Sequence, residues 1–247
     1  MEKHEKENKH GRCIGVILAV ITAVFFVLFA VMFFLTETAP SKLYKMLYPE
    51  NPVLIQTGNT FYVAPKTGDY IVFGSYYNQP IVWKCILCED LPVLQSSKIL
   101  TFTSYDKNSS EWKNSSLRKM LNTGDPFNLN PFSELIKGET TLLSKNQLEK
   151  LPAADRRKQP TAAAIEHCNT RFLFVRKYAW YWTNSSIAGQ TLCVSAVTQA
   201  GGFYKTPAYD TTVGVCPCVT LNDKLVVVCG GSGSENQPYV LSEPEKD

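Results

Sequence analysis

The sequence predicts an α+β fold: an N-terminal transmembrane helix followed by a domain with a mostly antiparallel sheet and several short helices. Three observations lead to this prediction. Residues 13–35 form an uninterrupted apolar run. β-Branched and aromatic runs typical of strands occur before residue 102 and again after residue 179. Short segments with helical spacing lie between them, and this order is typical of α+β domains.

The apolar run 13–35 contains no charged residue and would span about 34 Å as a helix, against about 30 Å for a bilayer core. Its apolar residues cover all sides, which excludes a surface amphipathic helix. A cleaved signal peptide is the alternative. The apolar region of a signal peptide is, however, shorter than this run and is followed by small residues at the cleavage site. The run therefore predicts an uncleaved single-pass anchor and the membrane as a partner.

The flanking charges predict the orientation of this anchor. Four Lys or Arg residues lie in 1–12, whereas only Lys42 and Lys45 follow closely. This excess favours a cytoplasmic tail at 1–12 and an extracytoplasmic C-terminal domain at the cell membrane. The prolines of 36–60 predict a stalk, 61–229 forms the domain, and 230–247, rich in Gly, Ser and charge, is predicted to be a flexible tail.

Within the domain the elements follow from local composition. A hairpin is predicted from two strands joined at Gln79-Pro80. The predicted strands, all rich in β-branched or aromatic residues, are 69–74, 81–87, 92–100, 180–183, 191–197, 213–221 and 224–229. The predicted helices, most of them preceded by a Ser or Thr cap, are 115–122, 133–136, 145–150 and 162–168.

Six segments resemble, in order, the motifs of one family. They are GDYIVFGSY at 68–76, PIVW at 80–83, WKNSSLRKMLN at 112–122, LLS at 142–144, WYWTNS at 180–185 and GVCPCVTL at 214–221. The family is the uncharacterised bacterial domain of unknown function family six-two-seven-three. The resemblance implies a bacterial cell-surface location. The last segment also resembles the ending of the formylglycine-generating enzymes, which implies a C-type-lectin-like scaffold.

Two positions depart from the family pattern. The arginines of its last two motifs are absent, with Asn184 or Thr183 near the first and Cys216 at the second. A bracing or ligand-binding role of those arginines would be lost here, or replaced by a covalent brace from Cys216 and Cys218. Pro217 stands where the formylglycine-generating enzymes carry their catalytic cysteine, so that role does not carry over.

Seven cysteines lie outside the apolar run, so at least one remains unpaired or bonds another chain. Cys85 and Cys88 would project to opposite faces of a regular strand, and Cys216 and Cys218 to one face. The two pairs could instead form a four-thiolate zinc site, or a redox or copper-using pair. Structural disulfides are favoured, and no metal or cofactor is expected. The disulfide candidates are Cys85, Cys88, Cys193, Cys216, Cys218 and Cys229.

No catalytic set is recognisable in the sequence. His167 is the single histidine of the domain, and no nucleophile elbow partners it. The carboxylates fall mostly in loops, and nothing places two of them in one cleft. The net charge of +3 and the absence of a basic run argue against nucleic acid as a partner. The sequence leaves enzymatic activity open and favours a non-enzyme.

Strand alternation places Trp180 and Trp182 on one face and Tyr181 on the other. They form either a core strand or a stacking platform, so Trp180, Trp182 and Asn184 are the candidate ligand-binding residues. The favoured function is a non-catalytic module at the cell surface that binds a glycan, peptide or protein. The alternatives are a thiol- or copper-dependent enzyme of formylglycine-generating type and a structural subunit of an envelope complex.

Overall fold

A computed structural model describes residues 20–31, 44, 46–48, 60–88, 90–168 and 176–243 of the chain. It contains two mixed sheets joined by short helices. Thirteen strands build these sheets: β1 Phe61–Val63, β2 Tyr70–Tyr76, β3 Gln79–Leu87, β4 Val93–Ser96, β5 Thr101–Phe102, β6 Phe127–Asn128, β7 Tyr181–Ser186, β8 Cys193–Val197, β9 Phe203–Pro207, β10 Gly214–Val215, β11 Cys218–Thr220, β12 Val226–Gly230 and β13 Tyr239–Leu241.

The predicted transmembrane helix at 13–35 is wrong. Its described part, residues 20–31, is helical. Among the described residues no helix combines the length and the apolar character that a membrane crossing requires. The predicted single-pass anchor and cell-membrane location are corrected with it. The predicted cytoplasmic tail 1–12 lies outside the described residues.

The described strands and short helices form a mixed arrangement of sheet and helix in which most strand pairs are antiparallel. One sheet has the order β1-β12-β13-β2-β3-β4-β11, with β6 pairing with β2, and the other has the order β5-β10-β7-β8-β9. Only β13 with β2 and β10 with β7 run parallel among the described strand pairs. The predicted hairpin is present, but its turn is Tyr77-Asn78, both with positive φ, so Gln79 and Pro80 already belong to β3.

The helices lie between the two groups of strands in the chain, and three of the described α-helices begin at side-chain caps, from Ser115, Ser144 and Thr161. Ser115 Oγ accepts a hydrogen bond from the Arg118 N–H at 3.1 Å, and Ser144 forms a capping box with Gln147. The α-helices are Ser116–Leu121, Lys145–Glu149, Ala153–Arg156 and Ala162–Glu166, and the 3-10 helices are Trp112–Asn114 and Asn130–Leu135.

The core has two parts, on opposite faces of the strands. The first core cluster surrounds Trp83, Tyr105, Phe127 and Trp182. The second core cluster consists of Tyr44, Ile86, Ile99, Phe102, Leu143, Leu148, Ala164, Ile165, Ala179, Tyr181, Val197, Cys216 and Cys218. Tyr44 belongs to the predicted stalk 36–60, so the stalk prediction is wrong at this residue.

The predicted flexible tail at 230–247 is also wrong for its middle part. Strand β13 lies between β12 and β2, and Leu241 is buried in the first core cluster. The sequence signal of β13 is only three residues long and is hidden among Gly, Ser and Pro. Pairing with two neighbouring strands therefore decides its structure.

We expect a chain that ends at residue 236 to be less stable than one that ends at residue 243. The shorter chain loses Leu241 from the core and opens β12 and β2 to water, which should lower the free energy of unfolding by about 2 kcal/mol or more. Urea unfolding followed by tryptophan fluorescence measures this difference. Equal midpoints for the two chains would show that β13 contributes no stability.

Candidate functional site

Trp180 and Tyr204 form an exposed aromatic pair, which we call the aromatic shelf. Their ring centroids lie 5.4 Å apart and their planes are tilted by 59°. Tyr204 is 60% exposed, whereas Trp180 is half-buried and packs against the first core cluster. Tyr204 lies on β9, the edge strand of the five-stranded sheet. The shelf thus presents apolar ring surface to solvent at the edge of a sheet.

The register of the sheet explains why these two rings meet. Trp182 pairs with Ala196, and Ala196 pairs with Tyr204, so the three side chains project from the same face. Trp180 lies two residues before Trp182 and therefore projects from that face as well. Its carbonyl accepts a hydrogen bond from the Gly214 N–H at 2.8 Å, which fixes its backbone at the start of β7.

The other two sequence-based binding candidates are structural. Trp182 is 1% exposed, and its Nε1–H donates to the Thr103 carbonyl at 2.8 Å, so its ring offers no surface to a ligand. Asn184 Nδ2 donates to the Leu142 carbonyl at 2.8 Å. This bond ties β7 to the segment before the helix Lys145–Glu149. Trp180 and Asn184 are both half-buried, and of these two Trp180 keeps an apolar ring surface that a ligand can contact.

Tyr204 was missed by the sequence analysis. The stretch after Gly201-Gly202 carries Phe203 and Tyr204, an aromatic pair with β propensity that could have predicted a strand. The two residues project to opposite faces, since Phe203 packs against the second core cluster. The pairing of β9 with β8 places Tyr204 beside Trp180, and no local sequence signal indicates that Tyr204 is exposed.

Arg156 fixes the turn between β8 and β9. Its guanidinium donates from Nε to the Gly201 carbonyl at 2.6 Å and from Nη1 to the carbonyls of Leu151 and Leu148 at 2.9 and 3.2 Å. The same group lies over the Phe203 ring, 5.0 Å from its centroid. One planar cation therefore connects two helices to the hairpin that carries Tyr204.

Gly201 makes this approach possible. Its φ is +81°, a conformation that residues with a Cβ rarely adopt. A Cβ at this position would meet the Ala153 carbonyl. The close contact between the turn and the helix Ala153–Arg156 thus requires glycine.

The side chains of Cys85 and Cys88 lie together, although a regular strand would project them to opposite faces. Their Sγ atoms lie 2.7 Å apart. The register between β3 and β4 shifts between Cys85 and Leu87, and β3 ends at Leu87. This irregularity breaks the strict alternation, so that both side chains contact the first core cluster.

Cys216 and Cys218 lie elsewhere, in the second core cluster. Burial raises the pKa of both thiols to about 12. The four-thiolate zinc site considered from the sequence is not assembled. Within the described ranges, no group of three or more His, Cys, Asp or Glu residues is placed to hold a metal ion. Cys193 and Cys229, the remaining disulfide candidates, are half-buried thiols.

Lys158 is buried beside these two thiols and was not identified from the sequence. Only 4% of it is exposed, and its Nζ donates to the Ser96 carbonyl at 3.1 Å. Burial lowers its pKa to about 8, partly offset by attraction to the Cys216 thiol. A strand-like bridge to Ala179 carries Lys158 into the core, and no local pattern distinguishes it from its exposed neighbours in the sequence.

A small cavity of about 130 Å³ lies near the end of the helix Ser116–Leu121. Phe127, Asn130 and Ser133 are among the residues that line it. Ligand pockets usually enclose about 300–1,000 Å³. The cavity is therefore too small for a sugar or a peptide, and the aromatic shelf remains the better candidate.

Comparisons of the chain with protein-family models, curated proteins and solved structures found no match. The resemblance to the domain of unknown function family therefore stays a prediction from the six motifs, and the C-type-lectin-like scaffold stays a prediction from the last of them.

We expect Arg156→Lys to loosen the β8–β9 turn. A lysine can bond one carbonyl but cannot bridge the three that the guanidinium reaches, so the free energy of unfolding should fall by about 1–3 kcal/mol. Amide hydrogen exchange of residues 198–205 should become faster. The control Arg157→Lys changes an exposed neighbour whose guanidinium donates one long hydrogen bond to the Ala154 carbonyl and lies over the Tyr178 ring. Unchanged exchange in Arg156→Lys would exclude this role.

We expect the stability gained by Lys158→Met to depend on pH. The pKa of Lys158 is about 8 in the folded chain and 10.5 in an exposed lysine. Between these values the unfolded chain binds a proton that the folded chain lacks, so native stability rises with pH. Removing the amine should therefore stabilise the protein most at pH 7, by at most about 3 kcal/mol, and least above pH 10.5.

Urea unfolding of the native chain and the variant from pH 7 to 10.5 measures this trend. Lys107→Met, at an exposed site, controls for the loss of a lysine from the surface. If the free energy of unfolding of Lys158→Met differed from that of the native chain by the same amount at every pH in this range, the lowered pKa of Lys158 would be contradicted.

Proposed function

We propose that this chain is a non-catalytic ligand-binding module and that its binding surface is the aromatic shelf of Trp180 and Tyr204. One observation carries the proposal: a largely exposed tyrosine on an edge strand contacts a half-buried tryptophan. Leaving such rings in water is unfavourable, and large exposed apolar surfaces on soluble proteins often serve in binding.

The shelf is held rigidly before any ligand binds. Trp180 is fixed by the hydrogen bond from Gly214 and by its packing against the first core cluster. Tyr204 lies on the hairpin whose turn Arg156 holds. A preorganised surface loses less conformational entropy on binding, so a small number of contacts can give useful affinity.

The ligand class that fits this surface best is a carbohydrate. A pyranose ring presents an apolar C–H face that stacks on aromatic rings, and two rings tilted by 59° offer two such faces. The β8–β9 turn also carries Gln199, whose side-chain oxygen accepts a hydrogen bond from Arg176 at 2.7 Å. This polar pair lies in the turn that precedes β9, the strand that carries Tyr204, and offers hydrogen-bonding groups for the hydroxyl groups of a sugar.

Burial of the thiols argues against the alternative of a thiol- or copper-dependent enzyme. A nucleophilic or metal-binding cysteine needs its thiolate, and thiolates form where the pKa is low and the sulfur is accessible. Cys216 and Cys218 have the opposite properties, since both are buried and their pKa is raised to about 12. His167, the lone histidine of the domain, stacks on Tyr77 at 4.5 Å.

A second candidate function is peptide binding by strand addition, which the edge position of β9 favours. An extended peptide could pair with the open side of β9 through its backbone. Pro207 ends the strand and lacks an N–H, which limits the length of such a pairing. The shelf would then be only a side-chain pocket beside the added strand.

We expect Tyr204→Ala to weaken carbohydrate binding at least about tenfold, because the stacking area of one ring is removed. A screen of the purified protein on an oligosaccharide array, followed by calorimetry with the best-bound sugar, measures this loss. The matched control is Tyr62→Ala. It removes a 74% exposed tyrosine from β1, the edge strand of the other sheet, and should leave binding unchanged.

Two results would contradict this proposal. In the first, no oligosaccharide binds to the native chain. In the second, Tyr204→Ala and Tyr62→Ala bind the sugar as tightly as the native chain. Binding of an unstructured peptide that persists in Tyr204→Ala would instead favour strand addition to β9.

A further inference from the structure

The two thiols at the end of β3 contact each other. The Sγ atoms of Cys85 and Cys88 lie 2.7 Å apart, closer than two unbonded sulfur atoms normally approach and farther than the about 2.05 Å of a disulfide bond. Cys85 is fully buried, whereas Cys88 is half-buried. The two residues are separated by only Ile86 and Leu87, and the irregular end of β3 turns both side chains toward the first core cluster.

Both cysteines also hold the segment that precedes β2. The Cys88 thiol donates to the Pro65 carbonyl at 3.1 Å. The backbone of Cys85 exchanges two hydrogen bonds with this segment, from the Gly68 N–H to its carbonyl and from its own N–H to the Asp69 carbonyl, both 2.8 Å long. The sulfur pair therefore lies where the end of β3 meets the 64–69 segment.

We propose that Cys85 and Cys88 form a reversible dithiol–disulfide switch that controls how tightly the 64–69 segment is held against β3. The proposal is independent of the aromatic shelf, because it concerns the other sheet and involves no ligand of the shelf. It assigns one pairing among the disulfide candidates and leaves Cys216 and Cys218 as buried thiols.

The oxidant is a low-molecular-weight disulfide of the glutathione type. The thiolate of Cys88, the more exposed residue, attacks one sulfur of the reagent and releases one small thiol. The thiolate of Cys85 then attacks Cys88 Sγ and releases the second small thiol. Two protein thiols lose two electrons and two protons, and one reagent disulfide gains them as two thiols.

Burial raises the pKa of Cys85, and its hydrogen bond to Cys88 raises it further. A buried thiol of this kind is a poor target for an external reagent and reacts with a sulfur that already touches it. This difference gives the two cysteines separate roles, with Cys88 as the entry point and Cys85 as the resolving thiol.

Oxidation changes the contacts of the 64–69 segment. A Cys88 sulfur in a disulfide has no hydrogen to donate, so the bond to the Pro65 carbonyl is lost. The four-residue loop 85–88 becomes closed and fixes the irregular end of β3. We expect the amides of Gly68 and Asp69 to exchange with solvent at different rates in the two redox states.

The test uses the full chain incubated in a series of oxidised and reduced glutathione mixtures, followed by alkylation and digestion with trypsin. Cleavage after Lys84 and Lys98 releases peptide 85–98, which contains Cys85 and Cys88 and no other cysteine. The expected result is an unalkylated peptide lighter by two hydrogens under oxidising mixtures, and a doubly alkylated peptide under reducing mixtures. Hydrogen exchange of residues 64–70 is measured on the same samples.

Single variants make the assignment specific. Cys85→Ser should abolish the lighter peptide and leave Cys88 as a mixed disulfide with glutathione, whereas Cys229→Ser should behave as the native chain. Alkylation of both thiols in every mixture, or pairing of either with another cysteine, would overturn the proposed pair. A disulfide that forms without any change in exchange at 64–70 would overturn the switch.

Discussion

Burial of β7 on both faces is the constraint on which the rest of this structure depends. Tyr181 and Trp182 are adjacent in sequence, project to opposite sides, and are both almost completely buried. Each also satisfies its polar group, since the Tyr181 hydroxyl donates to the Arg156 carbonyl and the Trp182 indole donates to the Thr103 carbonyl. A one-residue slip would exchange the two faces of the strand, so that each large side chain would enter a space packed around the other and lose its hydrogen-bond acceptor.

The position of the candidate site follows from this strand. Because β7 is fixed, Trp180 is held at its start, and β8 and β9 are placed by their register with it. The Tyr181 hydroxyl meets the backbone of Arg156, the residue whose guanidinium holds the β8–β9 turn. Arg156 therefore links the buried Tyr181 to the hairpin that carries the exposed Tyr204.

Local signals in the sequence predicted local structure well. The hairpin of β2 and β3 and the caps at Ser115, Ser144 and Thr161 are all present, because each depends on residues a few positions apart. The expectations that failed depend on distant partners. Strand β13 requires two neighbouring strands, and Trp182 is buried because Tyr105 and Thr103 cover it. The approach of Cys88 to Cys85 required an irregularity that composition does not indicate.

The candidate site shows the same division between local and distant effects. Alternation correctly placed Trp180 and Trp182 on one face, but the sequence could not show which of the two would be covered.

Lys158 is the clearest case, because nothing in its neighbourhood marks it as buried, yet its ammonium group lies beside Cys216 and Cys218 with the Ser96 carbonyl as its hydrogen-bond acceptor. A buried cation is costly unless it is well paired, and neutral thiols offer only weak pairing. The lowered pKa of the amine reflects this cost, because the folded chain releases the Lys158 proton near pH 8 instead of near pH 10.5. The cost is therefore greatest below about pH 8, where the folded chain carries Lys158 charged.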